Sequence, residues 1–330
     1  MSNTYKGLVP PTFTWSKTGG QIEKVHEWIN PVQHVTGKEI SEADILLFGI
    51  PLSRSSISAS AASEFPEAFR RSWKGFTTYN LDYDLDLSDL NVIDLGDTKQ
   101  HVTNVDMCHE HIVEAVTDIQ IKHSPSVQIA VGGDHSITAM TIKGIRQADQ
   151  TKEIGIIQLD THFDLRDPNE LGPANGTPIR YLIENGIIKG SNVHNIGLHG
   201  FFNTKDLKEY ADANGVQYTT MREARRQGVN NAVEKALNEL SKKVDFIYFT
   251  CDMDVLDMSY APGVPATTPG GMRSDELFEA ATLIGTHSKV EAMDIVCLDP
   301  KKDLADITVK TGTHVFLSFL TGVALRESSF

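Results

Sequence analysis

The sequence predicts a three-layer α/β/α fold, with a central, mostly parallel sheet of about eight strands covered by helices on both faces. Three observations predict it. Short apolar runs recur along the chain, segments of helical periodicity lie between them, and the polar motifs fall where apolar runs end. The predicted strands are Asp44–Ile50, Asn91–Leu95, Val127–Val131, Ile154–Asp160, Val193–Leu198, Val216–Tyr218, Val244–Asp252 and Glu291–Val296. Several are apolar on both faces, as strands buried between two helical layers must be. Val105–Lys122, Ile137–Ala148, Asn230–Lys242 and Asp275–Gly285 carry the helical pattern. Residues 1–40 show neither period and are expected to lie irregularly over a single domain formed by residues 41–330, because no linker or repeat divides the chain.

Composition narrows the function. With 330 residues and 40% hydrophobic content, the chain can bury a large core. A formal net charge of −14 argues against a phosphate-backbone partner, so no nucleic acid is expected. No apolar run approaches the roughly 20 residues needed to span a bilayer, and the first residues lack the pattern of a secretory signal. Cys108, Cys251 and Cys297 cannot all pair with one another, which favours a reducing, cytoplasmic setting.

Ligands of open parallel sheets bind beyond the carboxyl ends of the strands. Three polar motifs meet that condition: Gly132-Gly133-Asp134-His135-Ser136, Asp160-Thr161-His162-Phe163-Asp164 and Cys251-Asp252-Met253-Asp254. A lone D-x-D at a strand end is as readily turn chemistry, and a lone histidine there is commonly a satisfied core residue. Three such motifs on one sheet are different, since they gather His135, His162, Asp160, Asp164, Asp252 and Asp254 around one place. A structural zinc site would want thiolates, and only Cys251 is near. Oxygen donors with a minority of imidazoles suit Mn²⁺, although Fe, Co, Ni or Zn can take the same donors. Six side chains exceed what one open site needs, whereas two ions about 3.5 Å apart use them through bridging carboxylates.

GGDHS at 132–136, DTHFD at 160–164 and CDMDVLDMSYAPGVPATTPGG at 251–271 closely resemble the ureohydrolases, the family of arginase, agmatinase and formimidoylglutamase. The resemblance runs from about Asp44 to the C-terminus. It implies two Mn²⁺ per subunit, one held by His135 and Asp164, the other by His162 and Asp254, with Asp160 and Asp252 bridging. It further implies a hydroxide between the metals that attacks an amidine or guanidine carbon, oriented by the catalytic Asp164. Homo-oligomers, trimers or hexamers, are implied as well.

The substrate side departs from the best-known members. Where arginases and agmatinases carry a histidine that shuttles protons, this chain has Asn175, whose amide cannot titrate. The loop Leu171–Arg180 (LGPANGTPIR) and Ser53–Ser60 (SRSSISAS) resemble formimidoylglutamases of Gram-positive type. Asn175, Thr177 and Arg180 are therefore expected at the substrate, together with Arg166, two residues beyond Asp164. Guanidinium groups pair with carboxylates through two parallel hydrogen bonds, so two arginines suit a small molecule carrying carboxylates. The expected reaction is hydrolysis of N-formimidoyl-L-glutamate to L-glutamate and formamide.

Cys297 is the dissenting position, because it aligns with a glutamate that usually binds the amidine or guanidine group. A neutral thiol makes no charge-assisted contact with a cation. A thiolate at Cys297 is one way out. Urea release from a guanidino acid and a metal-binding pseudoenzyme are the alternative functions. His199, at another strand end, is a further candidate for the site, whereas His101, His109, His111, His123 and His314 read as surface or packing residues.

Overall fold

The computed structural model describes residues 5–19, 23–123 and 125–327. Residues 1–4, 20–22, 124 and 328–330, which fall within both expected segments, lie outside the described residues. Eight parallel strands form the body of the sheet: β1 (Ile45–Gly49), β2 (Val92–Thr98), β3 (Val127–Val131), β4 (Ile154–Leu159), β5 (Val193–Leu198), β6 (Gln217–Thr220), β7 (Phe246–Asp252) and β8 (Val290–Val296). Their order across the sheet is β2-β1-β3-β8-β7-β4-β5-β6. Each run expected from the sequence forms one of these strands, with ends that differ by a few residues.

The apolar runs work as buried parallel strands because alternate residues feed two separate cores. Leu47, Ile129, Ile157, Phe249 and Met293 join the core beneath the helices Phe65–Ser72, Val229–Leu240, Ser274–Gly285 and Ile307–Glu327. Leu46, Ala130, Ile156, Tyr248 and Ala292 face the helices Val105–His123 and Ser136–Ala148 on the other side. The period of two thus satisfies both layers at once. Truncating a residue such as Ile157, which is fully buried, costs about 2–5 kcal/mol through lost contact and a residual cavity.

The N-terminal segment holds more order than its pattern shows. Leu8–Val9 pairs antiparallel and Asn30–Pro31 parallel with β2, extending the sheet to ten strands. A helical turn at Val25–Trp28 buries Val25 and Trp28. These pieces are too short for periodicity to register, and their partner strand supplies the order. Beside them Arg70 is 2% exposed, with Nε 2.7 Å from Asp94 and Nη1 2.8 Å from Asp97. Part of the chain's acidity is therefore matched inside the fold.

The sheet order explains how motifs far apart in sequence converge. Strands β3, β8, β7 and β4 are consecutive neighbours, so the residues following all four share one edge of the sheet. The insertion of β8 between β3 and β7 brings Cys297 there too.

Candidate metal centre

The turn after β3 demands two glycines. Gly132 and Gly133 have φ of +93° and +87°, and a Cβ on Gly132 would lie 2.5 Å from Pro66. Only glycine tolerates both constraints, and the tight turn delivers His135 directly at the start of the helix Ser136–Ala148. Asp134 steadies this turn by accepting from Ser136 N–H at 3.1 Å and from Ser55 N–H at 3.0 Å. The Asp134 carboxyl is pushed up to about 6, mainly by burial.

All six residues expected as ligands meet at the strand ends. His135 Nδ1 is 2.7 Å from Asp164 Oδ2, 3.1 Å from Asp252 Oδ2 and 3.3 Å from Asp160 Oδ2. His162 Nδ1 is 2.8 Å from Asp254 Oδ2 and 3.6 Å from Asp160 Oδ1. Potential ligand atoms form two groups, His135–Asp160–Asp164 and Asp160–His162–Asp254, and within each group they all lie within 4.8 Å of one another. Asp160 belongs to both, one oxygen facing each group, as a bridging carboxylate must.

The arrangement fits a pair of metal ions on three grounds. First, His135 Nδ1 and Asp164 Oδ2 are buried yet lack an aligned hydrogen-bond partner. Orphaned buried polar atoms are costly unless something else coordinates them. Second, several donors use their other polar atom elsewhere. Asp252 Oδ1 accepts Asp254 N–H at 2.9 Å, and Asp254 Oδ1 accepts Thr161 N–H at 3.1 Å. Third, two divalent cations balance the charge of four carboxylates. Cys251, the nearest thiol in sequence, instead lies in the apolar core.

A chain of hydrogen bonds sets the tautomer of His135. Its Nε2–H donates to Thr250 Oγ1 at 2.9 Å, and Thr250 in turn donates to Asp294 Oδ1 at 2.6 Å. Asp294 also accepts from Thr138 at 2.6 Å and Tyr248 at 2.9 Å. With Nε2 protonated, the Nδ1 lone pair faces the cluster, the arrangement that makes imidazole a ligand. Sequence reasoning misses Thr138, Tyr248, Thr250 and Asp294. A signal exists, an aspartate inside the apolar run EAMDIV, but its neighbours become evident only through the pairing of Thr250 with Asp294 on adjacent strands.

Electrostatics within the protein alone show how crowded the cluster is. Burial disfavours a charged imidazole at His135, yet Asp164, Asp160 and Asp252 outweigh it and hold the pKa well above its ordinary value. At His162 burial likewise loses to Asp254 and Asp160, and the pKa rises to about 12. Burial and then the charge of Asp160 raise Asp164 to about 6. Bound cations would take over the compensating role of those protons.

The pocket above the cluster is lined by His162, Asp164, Asp252, Asp254, Arg166, Asn175, Ile57, Phe202 and Cys297, among others. Asn175 Oδ1 accepts Ile57 N–H at 2.8 Å, which leaves its amide NH₂ as a donor. Arg166 is exposed at the pocket, and among the described residues no carboxylate forms an ion pair with it. Two lining residues adopt left-handed backbone, Asp164 at φ 55° and Cys297 at φ 61°. Such conformations cost about 1–3 kcal/mol each and persist where surrounding structure imposes them. Burial, then the charges of Asp252 and Asp254, push the Cys297 thiol well above its ordinary value, so the protein's own field favours the thiol over the thiolate.

The structure does not bring Arg180, Thr177 or His199 to the lining of this pocket. Arg180 contacts Asp167 at 2.8 Å and Glu184 at 2.7 Å and lies over the Tyr210 ring. Thr177 Oγ1 faces its own loop, accepting Ala174 N–H at 2.9 Å. His199 Nε2 is 3.0 Å from Thr268 Oγ1 and Nδ1 is 2.8 Å from Gly197 O. Among the other histidines, His109 is buried against Ser136, and His314 stacks on Phe278.

Comparison with known proteins agrees with this geometry. Residues 43–322 match the profile of the Arginase family. A formimidoylglutamase from Halalkalibacterium halodurans is 40% identical over 281 residues, covering 85% of this chain and 88% of that protein. The crystal structure of formimidoylglutamase from Bacillus subtilis superposes with a TM-score of 0.87 at 35% identity, covering 94% of this chain and 96% of that one. A Trypanosoma cruzi formiminoglutamase solved with Mn²⁺ shares the fold, with a TM-score of 0.83 at 22% identity over 93% of this chain and all of that one. With its order of strands, its three strand-end motifs and these relatives, the chain belongs to the arginase family.

Proposed function

We propose that the protein hydrolyses N-formimidoyl-L-glutamate to L-glutamate and formamide at a pair of manganese ions. The relatives called formimidoylglutamases support this reading. The observation that carries it is Arg166, a guanidinium that forms no ion pair among the described residues and feels the charge of Asp206 only at longer range, in the same pocket as the ligand cluster. Manganese held by His135, Asp164, His162 and Asp254, with Asp160 and Asp252 shared, would supply the Lewis acidity that makes water a nucleophile near neutral pH.

The chain's own residues do the rest. Arg166 pairs with a substrate carboxylate and points the formimidoyl end inward. Asn175 offers NH₂ donors from a loop pinned through Ile57, and Thr177 and Arg180 hold that loop and its following helix in shape. Asp164, which lines the pocket beside the other candidate ligands, is the carboxylate we assign to orienting the attacking water. Water adds to the amidine carbon, the bond from that carbon to the glutamyl nitrogen breaks, and this nitrogen takes a proton as glutamate leaves.

A second reading, urea release from a guanidino acid, draws on Cys297, whose neutral thiol stands where a charged partner is usual. Manganese-loaded protein incubated with formimidoylglutamate and with guanidino acids separates the two. Formamide supports the first reading, urea replaces it with the second, and turnover of neither with both metals bound leaves only a metal-binding role. No helix among the described residues is long and apolar enough to cross a membrane, and its three cysteines are unpaired. We place the reaction in the cytoplasm, in a trimer or hexamer whose mass light scattering would report.

A further inference from the structure

A groove of about 690 Å³ adjoins the catalytic pocket, and the two share Asn203. Its walls carry Lys205, Lys208, Arg222 and Arg226 against a single carboxylate, Glu223, in a chain whose net charge is −14. Glu223 is already engaged, accepting from Thr220 N–H at 2.9 Å and from the Thr220 hydroxyl at 2.8 Å. Lys208 and Lys205 make exposed pairs with Asp212 and Glu209, which hold little energy and exchange readily.

Arg222 and Arg226 are different. Both are exposed, and among the described residues neither forms an ion pair. Four residues apart on the helix Met221–Gln227, they lie on one face, where like charges repel. Arg225, between them, donates to the carbonyls of Gly270 and Gly271 and so has a structural task. Among the described residues no hydrogen bond of this kind engages its two neighbours, whose charges are shared in part with Glu223. The segment from Gly200 to Lys208 forms a common wall, with Phe202 and Leu207 lining the catalytic pocket and Lys205 and Lys208 the groove.

We propose that this groove is an approach site for a dicarboxylate, which Arg222 and Arg226 draw in before Arg166 receives it in the catalytic pocket. The inference rests on the dicarboxylate reading of the substrate given above. A chain of this net charge repels the two carboxylates of such a molecule over most of its surface. A local concentration of cations beside the pocket offsets that repulsion where it matters, and electrostatic focusing of this kind changes encounter by 10-fold or more, about 10–10³.

The test uses the full-length, manganese-loaded protein and the variants R222E/R226E and R222Q/R226Q. Turnover of N-formimidoyl-L-glutamate is measured from about 20 mM to about 0.5 M KCl, where screening shortens the field to a few ångströms. Expected is a fall in kcat/KM of roughly 10-fold for R222E/R226E at low salt, less for R222Q/R226Q, with kcat unchanged and the curves converging at high salt. Equal kcat/KM and equal salt dependence in all three proteins would overturn the inference. Calorimetric binding of L-glutamate at low salt gives a readout without turnover. If the wild type does not process formimidoylglutamate yet binds glutamate more tightly than R222E/R226E, the substrate assignment fails and the approach site stands. A variant with altered oligomer mass and unaltered glutamate affinity also overturns it, assigning the arginines to a subunit contact.

Discussion

The two ends of the catalytic pocket are made of different material. At the inner end, the ligands follow strands β3, β4 and β7, and His135, Asp160 and Asp252 are almost wholly buried. Several are held by a second contact, such as Thr250 behind His135 and Gln158 on Asp160 at 2.6 Å. At the outer end, Arg166 and Asn175 come from loops, and Arg166 is exposed. A rigid frame positions the candidate ligands, whereas the groups proposed above to choose the substrate sit where sequence can vary without disturbing the sheet. Reaction type should thus be robust to outer-end changes, and substrate preference sensitive to them.

The largest effect should come from the shared ligand. Asp160→Asn is expected to lower metal affinity by more than about 100-fold and abolish turnover, measured by metal analysis after dialysis. Retained stoichiometry at both sites would place the bridge elsewhere. The frame itself can be probed by pH through His194, which lies in β5 and is buried. Burial lowers its pKa to about 4 despite Glu239 nearby. The unfolded chain binds a proton near pH 6.5 that the folded one refuses. The contribution to stability is therefore complete above about pH 6.5 and is lost as pH falls towards 4, by up to roughly 3 kcal/mol. Denaturant unfolding of wild type and His194→Asn across that window should show a shallower loss in the variant.

One step out from the ligands, Thr250→Val removes the acceptor for His135 Nε2–H and keeps the shape. Metal affinity should fall by about 10–100-fold with the fold intact by circular dichroism. Unchanged affinity would make the Thr250–Asp294 chain merely structural. At the outer end, Arg166→Gln should raise KM about 10-fold or more, the loss expected for a charge-assisted contact. Arg180→Gln should change KM by less than about 3-fold, since its guanidinium already pairs with Asp167 and Glu184. The reverse ranking would mean that the loop rearranges around substrate and that the outer end is not the preformed pocket described above.

Much of the inner end is legible in the sequence alone. A strand end, two glycines and a histidine form a local pattern, and so does D-x-H-x-D, because ligands on one turn must be close in sequence. The outer end is only partly legible. Arg166 and Arg180 read alike as loop arginines, and what separates them is the position of Asp167, Glu184 and Tyr210 around the second. The expectation for the N-terminal stretch misses its two short strands for a related reason, since an extended pair of residues carries no period of its own. His199 stands at a strand end as the ligands do, but β5 lies beyond β4, away from the strands that converge on the centre.

By itself the sequence determined the fold class, the strands and which residues would cluster as candidate ligands, because periodicity and strand-end motifs are local and survive without knowledge of what lies opposite. Only the tertiary structure decided that β8 inserts between β3 and β7, setting Asp294 behind His135 and giving Cys297, which the resemblance already placed at the site, its left-handed backbone. It alone also left Arg166 without an ion-pair partner among the described residues while giving Arg180 two. Pairing across the sheet and the neutralisation of a charge both depend on residues distant in the chain, and no local pattern records them.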